Sequence, residues 1–134
     1  MTEDRVIAQA FMEALWAGDL ETCGNMMSAD ATWHFQLGMP QAQMSRGRIW
    51  PAREALQRIV DDLFGKFDAE GFTVKLIRML GDHGNIAVEY EASGRTGRGA
   101  AYQNYYVTVL SIGDGLVDEI RPYNDTAHML TLLY

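Results

Sequence analysis

Cysteine is nearly absent from this chain: Cys23 stands alone, so neither an intrachain disulfide nor a multi-cysteine metal site can form. A reducing compartment suits such a chain. Basic side chains are in deficit, 11 Lys and Arg against 18 Asp and Glu, for a net charge of −7. The few basic residues are scattered rather than gathered into a stripe, which argues against binding to a nucleic-acid backbone. Long apolar runs are missing too. No segment approaches the roughly 20 residues that a membrane-spanning helix needs. The opening MTEDRVIAQAF lacks a basic stretch followed by an apolar one, so no signal peptide is expected and the cytoplasm is the expected compartment. The three histidines, His34, His83 and His128, share none of the short spacings of zinc sites, and no metal or cofactor is expected.

What remains is an ordinary globular composition, 48% hydrophobic and 22% charged over 134 residues, enough for one domain with one core. Val6, Ile7, Ala10, Phe11, Ala14 and Leu15 recur at helical spacing within residues 3–17, and Gly18 follows where a helix would end. Asp19 is placed to cap a second, shorter helix that buries Leu20, Cys23, Met26 and Met27. From 31 to 37 the period changes to two, with Trp33, Phe35 and Leu37 on one face and Thr32, His34 and Gln36 on the other. Residues 38–50 have no period and read as a long loop, a common form for a lid. Pro51 then opens a third helix along Leu56, Ile59, Val60, Leu63, Phe64 and Phe67. Four strands follow at 72–80, 86–94, 101–112 and 116–123, separated by turn residues, before a short helix from Asn124.

Strands joined by short turns imply an antiparallel sheet, and the helices must pack on one face of it. Such a sheet curls, so three helices from the N-terminal half would close its concave side around a pocket. The expected class is therefore α+β. The strand at 101–112 carries Tyr102, Tyr106 and Leu110 on one face and Tyr105, Val107 and Val109 on the other. Both faces need cover, and a homodimer through the sheet is the economical means.

Four stretches carry a family resemblance: AGDLE at the end of the first helix, SADATWHF leading into the first strand, Gly47 before the third helix, and GDGLVDEIRPYNDTAHML at the end. With the order of elements, they resemble the cone-shaped nuclear transport factor 2-like fold over essentially the whole chain. Ketosteroid isomerases, limonene-type epoxide hydrolases and SnoaL-like polyketide cyclases share it, as do non-enzymatic proteins. The resemblance implies that Asp125, the aspartate of a Tyr-x-Asp motif, faces the pocket as an acid or base. A carboxylate in an apolar pocket has its pKa raised toward a useful range. The plainer reading is that Asp125 stabilises a helix N-terminus.

Tyr123 shares a strand face with Asp125 by period two and could offer a hydroxyl beside it. Asn104, Tyr106 and Thr108 share one face of the longest strand and serve either the pocket or a dimer interface, according to which side is concave. Trp33, Phe35, Tyr90 and Leu110 are expected as pocket walls. Where ketosteroid isomerases carry their acids, this chain has Phe35 and Thr108; where epoxide hydrolases carry an Arg-x-Asp pair, it reads Tyr90-Glu91-Ala92. Neither of those reactions fits. Two functions stay open: cofactor-free proton transfer by Asp125 on a small hydrophobic carbonyl compound, in the manner of an isomerase or cyclase, or non-catalytic binding of a small hydrophobic molecule in the same pocket.

Overall fold

A computed structural model describes residues 2–134. The first helix, α1 (Glu3–Trp16), begins where the Thr2 side chain accepts a hydrogen bond from the Arg5 N–H, and Glu3 and Asp4 favour its positive end. It ends at Gly18, whose φ of +71° is a conformation costly for other residues. The buried stripe is Ala8, Phe11, Met12, Ala14 and Leu15. Val6 and Ala10, expected inside, face outward. Helix α2 (Leu20–Asn25) is capped by Asp19, which accepts from the Thr22 N–H and hydroxyl.

Strand β1 (Met27–His34) starts directly after α2, four residues ahead of the expected 31. Alternation still turns Ala31, Trp33 and Phe35 inward. The chain leaves the sheet after Phe35, so Leu37 is 70% exposed rather than inward-facing. The expected loop 38–50 holds a turn of 3-10 helix at Pro40–Gln43 and runs into strand β2 (Ile49–Pro51), where Trp50 lies opposite Trp33. Helix α3 (Ala52–Asp62) buries Ala52, Ala55, Leu56 and Ile59. It stops five residues short of Phe67, which opens β3 (Phe67–Leu80), because a 3-10 turn at Phe64–Lys66 reverses the chain.

Strands β4 (Asn85–Thr96), β5 (Ala101–Gly113) and β6 (Leu116–Asn124) follow as hairpins, and α4 (Thr126–Leu133) closes the chain. Asp114 and Gly115, both at positive φ, make the tight β5–β6 turn. The sheet has six strands in the order β2-β1-β6-β5-β4-β3. One pair corrects the all-antiparallel expectation: β6 runs parallel to β1. The two are separated in sequence by α3 and three long strands, and an excursion of that length can return a strand beside the first in either direction. The class is α+β, with a curved sheet that does not close on itself.

Ile86, Val88, Tyr90 and Ala92 of β4 are buried, as are Tyr102, Asn104, Thr108 and Leu110 of β5. This face packs against α1 and α3. No helix among the described residues is long and apolar enough to cross a membrane.

Candidate functional site

Between the sheet's inner face and the helices lies a cavity of about 80 Å³. Trp33 and Phe35 of β1 line it, with Leu15 and Trp16 of α1 and Ile59 of α3 across from them. Phe67, Phe72, Tyr90, Ala92 and Tyr106 extend the sheet wall, and Met39 and Met129 border it from the loop and α4. The lining contains no carboxylate, imidazole, ammonium or guanidinium. For scale, a dry protein cavity of roughly 150 Å³ accepts benzene. In this conformation the space, about 80 Å³, is smaller than that.

Aromatic packing sets the shape. Tyr90 and Tyr106 stack, Trp16 tilts on Tyr90 at 4.9 Å between centroids, and Phe35 meets Trp50 edge-on at 5.1 Å. The Phe67 ring packs on Phe72 at 5.1 Å and edge-on to Tyr102 at 5.5 Å. Offset and edge-to-face contacts of this kind make a stiff apolar wall.

The hydroxyls of the sheet wall form two pairs, and the Gln36 and Asn124 amides also border the cavity. Tyr90 Oη lies 3.0 Å from Thr108 Oγ1. Tyr102 Oη and Tyr106 Oη lie 2.6 Å apart, and Asn104 Nδ2 donates to the Tyr102 oxygen at 2.9 Å. Burial pushes the Tyr90 phenol up to about 12 and also raises those of Tyr102 and Tyr106, so all three stay protonated at neutral pH. Trp16 lies near enough to Tyr90 to favour its phenolate slightly, yet its indole N–H closes no hydrogen bond of acceptable geometry. The buried Trp33 N–H likewise has no acceptor among the described residues.

The expected site residues divide into two groups. Trp33, Phe35, Tyr90 and Tyr106 border the cavity together. Asn104 stands behind that wall, buried, with its second Nδ2 hydrogen bond to the Asp125 carbonyl at 3.1 Å. Leu110 is fully buried but belongs to the core beyond the cavity, opposite Ile120 and Ile86. Tyr123 is corrected from a pocket residue to an outward-facing one, 51% exposed, because Pro122 and Asn124 take the inward positions of β6. Asp125 keeps the parity it was expected to share with Tyr123, and so it too is exposed rather than pocket-facing. Its carboxylate caps α4, with Oδ1 accepting the His128 N–H at 3.1 Å.

The His128 imidazole turns to the Gln103 carbonyl, 2.8 Å from Nε2, and stacks on Tyr102 at 6.0 Å. His34 lies on the outer face, 3.0 Å from the Thr32 hydroxyl and 3.6 Å from Glu119, where burial lowers its pKa. Arg46 is engaged at the surface by Glu54 at 2.6 Å and by the Trp50 ring.

Sequence reasoning put Tyr102 on the face of Tyr106 and Leu110 by period two but did not count it among the site residues. It also missed Phe67 and Phe72. Phe67 fits the α3 period, and nothing in the local pattern announces the 3-10 turn that moves it to the sheet.

A model of the SnoaL-like domain family matches residues 8–120. Solved structures share the fold. One, described as a SnoaL-like polyketide cyclase from Jannaschia sp. CCS1, is 15% identical with a TM-score of 0.79, covering 98% of this chain and 91% of that one. A nuclear transport factor 2-like protein of unknown function from Burkholderia pseudomallei K96243 is 17% identical with a TM-score of 0.79, covering 99% and 98%. A protein of unknown function with a cystatin-like fold from Xanthomonas campestris is 21% identical with a TM-score of 0.68, covering 93% and 92%. Comparison with curated proteins finds no match.

Proposed function

Because the chain belongs to the SnoaL-like domain family, we propose that its cavity binds a small, uncharged, mainly apolar compound carrying an oxygen function, such as a hydrophobic carbonyl compound. The observation that carries this reading is the lining itself, mostly aromatic and aliphatic, with the neutral amides of Gln36 and Asn124 and no carboxylate, imidazole, ammonium or guanidinium. An ion entering such a space would lose its hydration without a partner, whereas an apolar ligand gains by leaving water. Binding, rather than proton transfer, is the function this geometry supports best.

Native mass spectrometry of the protein as purified from cells tests it. A neutral apolar compound should accompany the wild type and be lost from Ala92→Trp, which fills the cavity from the β4 wall. A charged compound, or one held equally by the variant, contradicts the reading.

A second reading is catalytic: cofactor-free proton transfer of the isomerase or cyclase type on such a carbonyl compound, with Asp125 as acid–base. One observation favours it, the Asn104 amide that joins the Tyr102 hydroxyl to the Asp125 backbone and so ties that residue to the polar edge of the cavity. Turnover that disappears in Asp125→Asn would support it.

We also propose that two copies pair through the outer face of the sheet. Tyr105 and Tyr123 are 56% and 51% exposed there, beside the partly exposed Val107 and Val109. An apolar stripe of that kind on a sheet calls for a partner surface, and a second copy offers the same stripe in return. The buried free thiol of Cys23 accords with a cytoplasmic setting.

A further inference from the structure

We propose that Tyr106 recognises the oxygen of the ligand, as the last donor of a directed hydrogen-bond chain running from Asn104 through Tyr102 into the cavity. The inference rests on the binding reading above and adds which atom selects the ligand. Its basis is a count of protons.

Asn104 has a single workable orientation. Its Oδ1 accepts the Tyr105 N–H at 2.9 Å, and its two Nδ2 hydrogens go to the Tyr102 oxygen at 2.9 Å and the Asp125 carbonyl at 3.1 Å. A flipped amide would place donors against donors. Tyr102 Oη is therefore an acceptor from Asn104. Between Tyr102 and Tyr106 there are two hydroxyl protons and one O···O contact, 2.6 Å long, so one proton is left over.

Burial decides where it goes. Were Tyr106 to donate, the spare proton would sit on Tyr102, which is 2% exposed and has no further acceptor among the described residues. An unpaired donor there carries a full desolvation cost. The opposite direction, Tyr102 donating to Tyr106, leaves the spare proton on the residue that borders the cavity. Successive donors polarise one another, so the terminal hydroxyl is a better donor than an isolated phenol. Burial raises the Tyr106 pKa, which keeps that proton in place. Tyr90 and Thr108 also share one contact between two hydroxyls, and with Thr108 buried the spare proton falls on Tyr90 as well. No further donor among the described residues feeds that pair as Asn104 feeds Tyr102, so Tyr90 is the weaker donor.

The ligand class that follows is a neutral acceptor: a ketone, ester or ether oxygen on a small apolar body. Cyclopentanone and methylenecyclopentane differ only in C=O against C=CH₂ and serve as probes, titrated by NMR. The ratio of their dissociation constants should shift toward the hydrocarbon by roughly two- to tenfold in Tyr106→Phe, the worth of one hydrogen bond. A smaller shift in the same direction is expected in Tyr102→Phe, a positioning change, and in Tyr90→Phe, which lacks the polarising chain. The infrared C=O stretch of cyclopentanone bound to wild type should lie below its value in hexane, a readout that needs no variant.

An unchanged ratio in Tyr106→Phe, an equal shift in Tyr90→Phe, or a hexane-like stretch overturns the proposal while leaving the cavity's role as a binding site intact. Failure of both probes to bind wild type removes the binding reading and this proposal together.

Discussion

Tyr90 and Tyr106 stand directly opposite each other on β4 and β5, and their rings stack with centroids 5.1 Å apart and planes 1° from parallel. The pair is the centre of the sheet wall that faces the cavity, and each hydroxyl leans to a different partner, Thr108 for one and Tyr102 for the other. Removing the Tyr90 ring should open the wall. Tyr90→Ala is expected to cost about 3–5 kcal/mol, as for other large-to-small core changes. Tyr90→Phe should cost only about 1 kcal/mol, for the bond to Thr108. Urea unfolding followed by fluorescence measures both, and a Tyr90→Ala loss below that of Tyr90→Phe would contradict the packing role.

Asp125 separates the two readings of function. As a helix cap it should tolerate Asn, which accepts the same N–H, while Asp125→Ala should lower stability by about 1 kcal/mol. Thermal unfolding of the two variants checks this. Ligand retention should be equal in wild type and Asp125→Asn; a loss of retention or of turnover in the Asn form moves the weight to the catalytic reading.

Alkali should destabilise the fold before it deprotonates the tyrosine cluster. Tyr90, Tyr102 and Tyr106 all have raised pKa values, from burial first, so above pH 10 the unfolded chain releases protons that the folded one keeps. With fewer protons bound in the unfolded state, stability falls as pH rises. The contribution is whole below pH 10, the ordinary tyrosine value, and diminishes above it, with Tyr90 itself ionising in the fold only near 12. Absorbance at 295 nm against pH, compared with circular dichroism, should show these phenols ionising together with unfolding. Their ionisation near pH 10 in a chain still folded would contradict their burial.

The same logic applies to Cys23. Burial pushes its thiol up to about 11 from 9.0, and the thiolate is the reactive form. A disulfide reagent at pH 8 should leave Cys23 unmodified in the native protein and react promptly in urea. Fast native modification would place the thiol nearer the surface than its position between α1 and α2 allows.

Pairing through the sheet is a question of mass. Light scattering at micromolar concentration should give twice the chain mass for wild type and the single mass for the double variant Tyr105→Lys, Tyr123→Lys, which buries two charges in the apposed face. A wild-type monomer removes the dimer.

Much of this was written locally in the chain. Period-two alternation in Ile86 to Ala92 and in Tyr102 to Leu110 set which residues share a face, and Asp19, Gly18 and the Asp114-Gly115 turn mark element ends through their own backbone chemistry. Those features depend on neighbours two to four residues away, so they are legible without a structure. The resemblance to the SnoaL-like family rested on such local stretches as well.

Which of the two faces of β6 turns inward is another matter. Tyr123 and Asp125 do share a side, but the side is the outer one, because pairing with β5 and with the parallel β1 sets the register of the whole strand. A side chain's parity is a property of the local chain, whereas the direction of that parity comes from partners dozens of residues away. The same holds for Phe67, which continues the helical period of α3 yet belongs to β3, and for Tyr102, whose hydroxyl meets Tyr106 only because the sheet curls them together. The sequence by itself determined an α+β domain with an aromatic inner face; tertiary packing alone decided that a tyrosine–asparagine chain runs to the cavity's edge and that the carboxylate of Asp125 caps a helix.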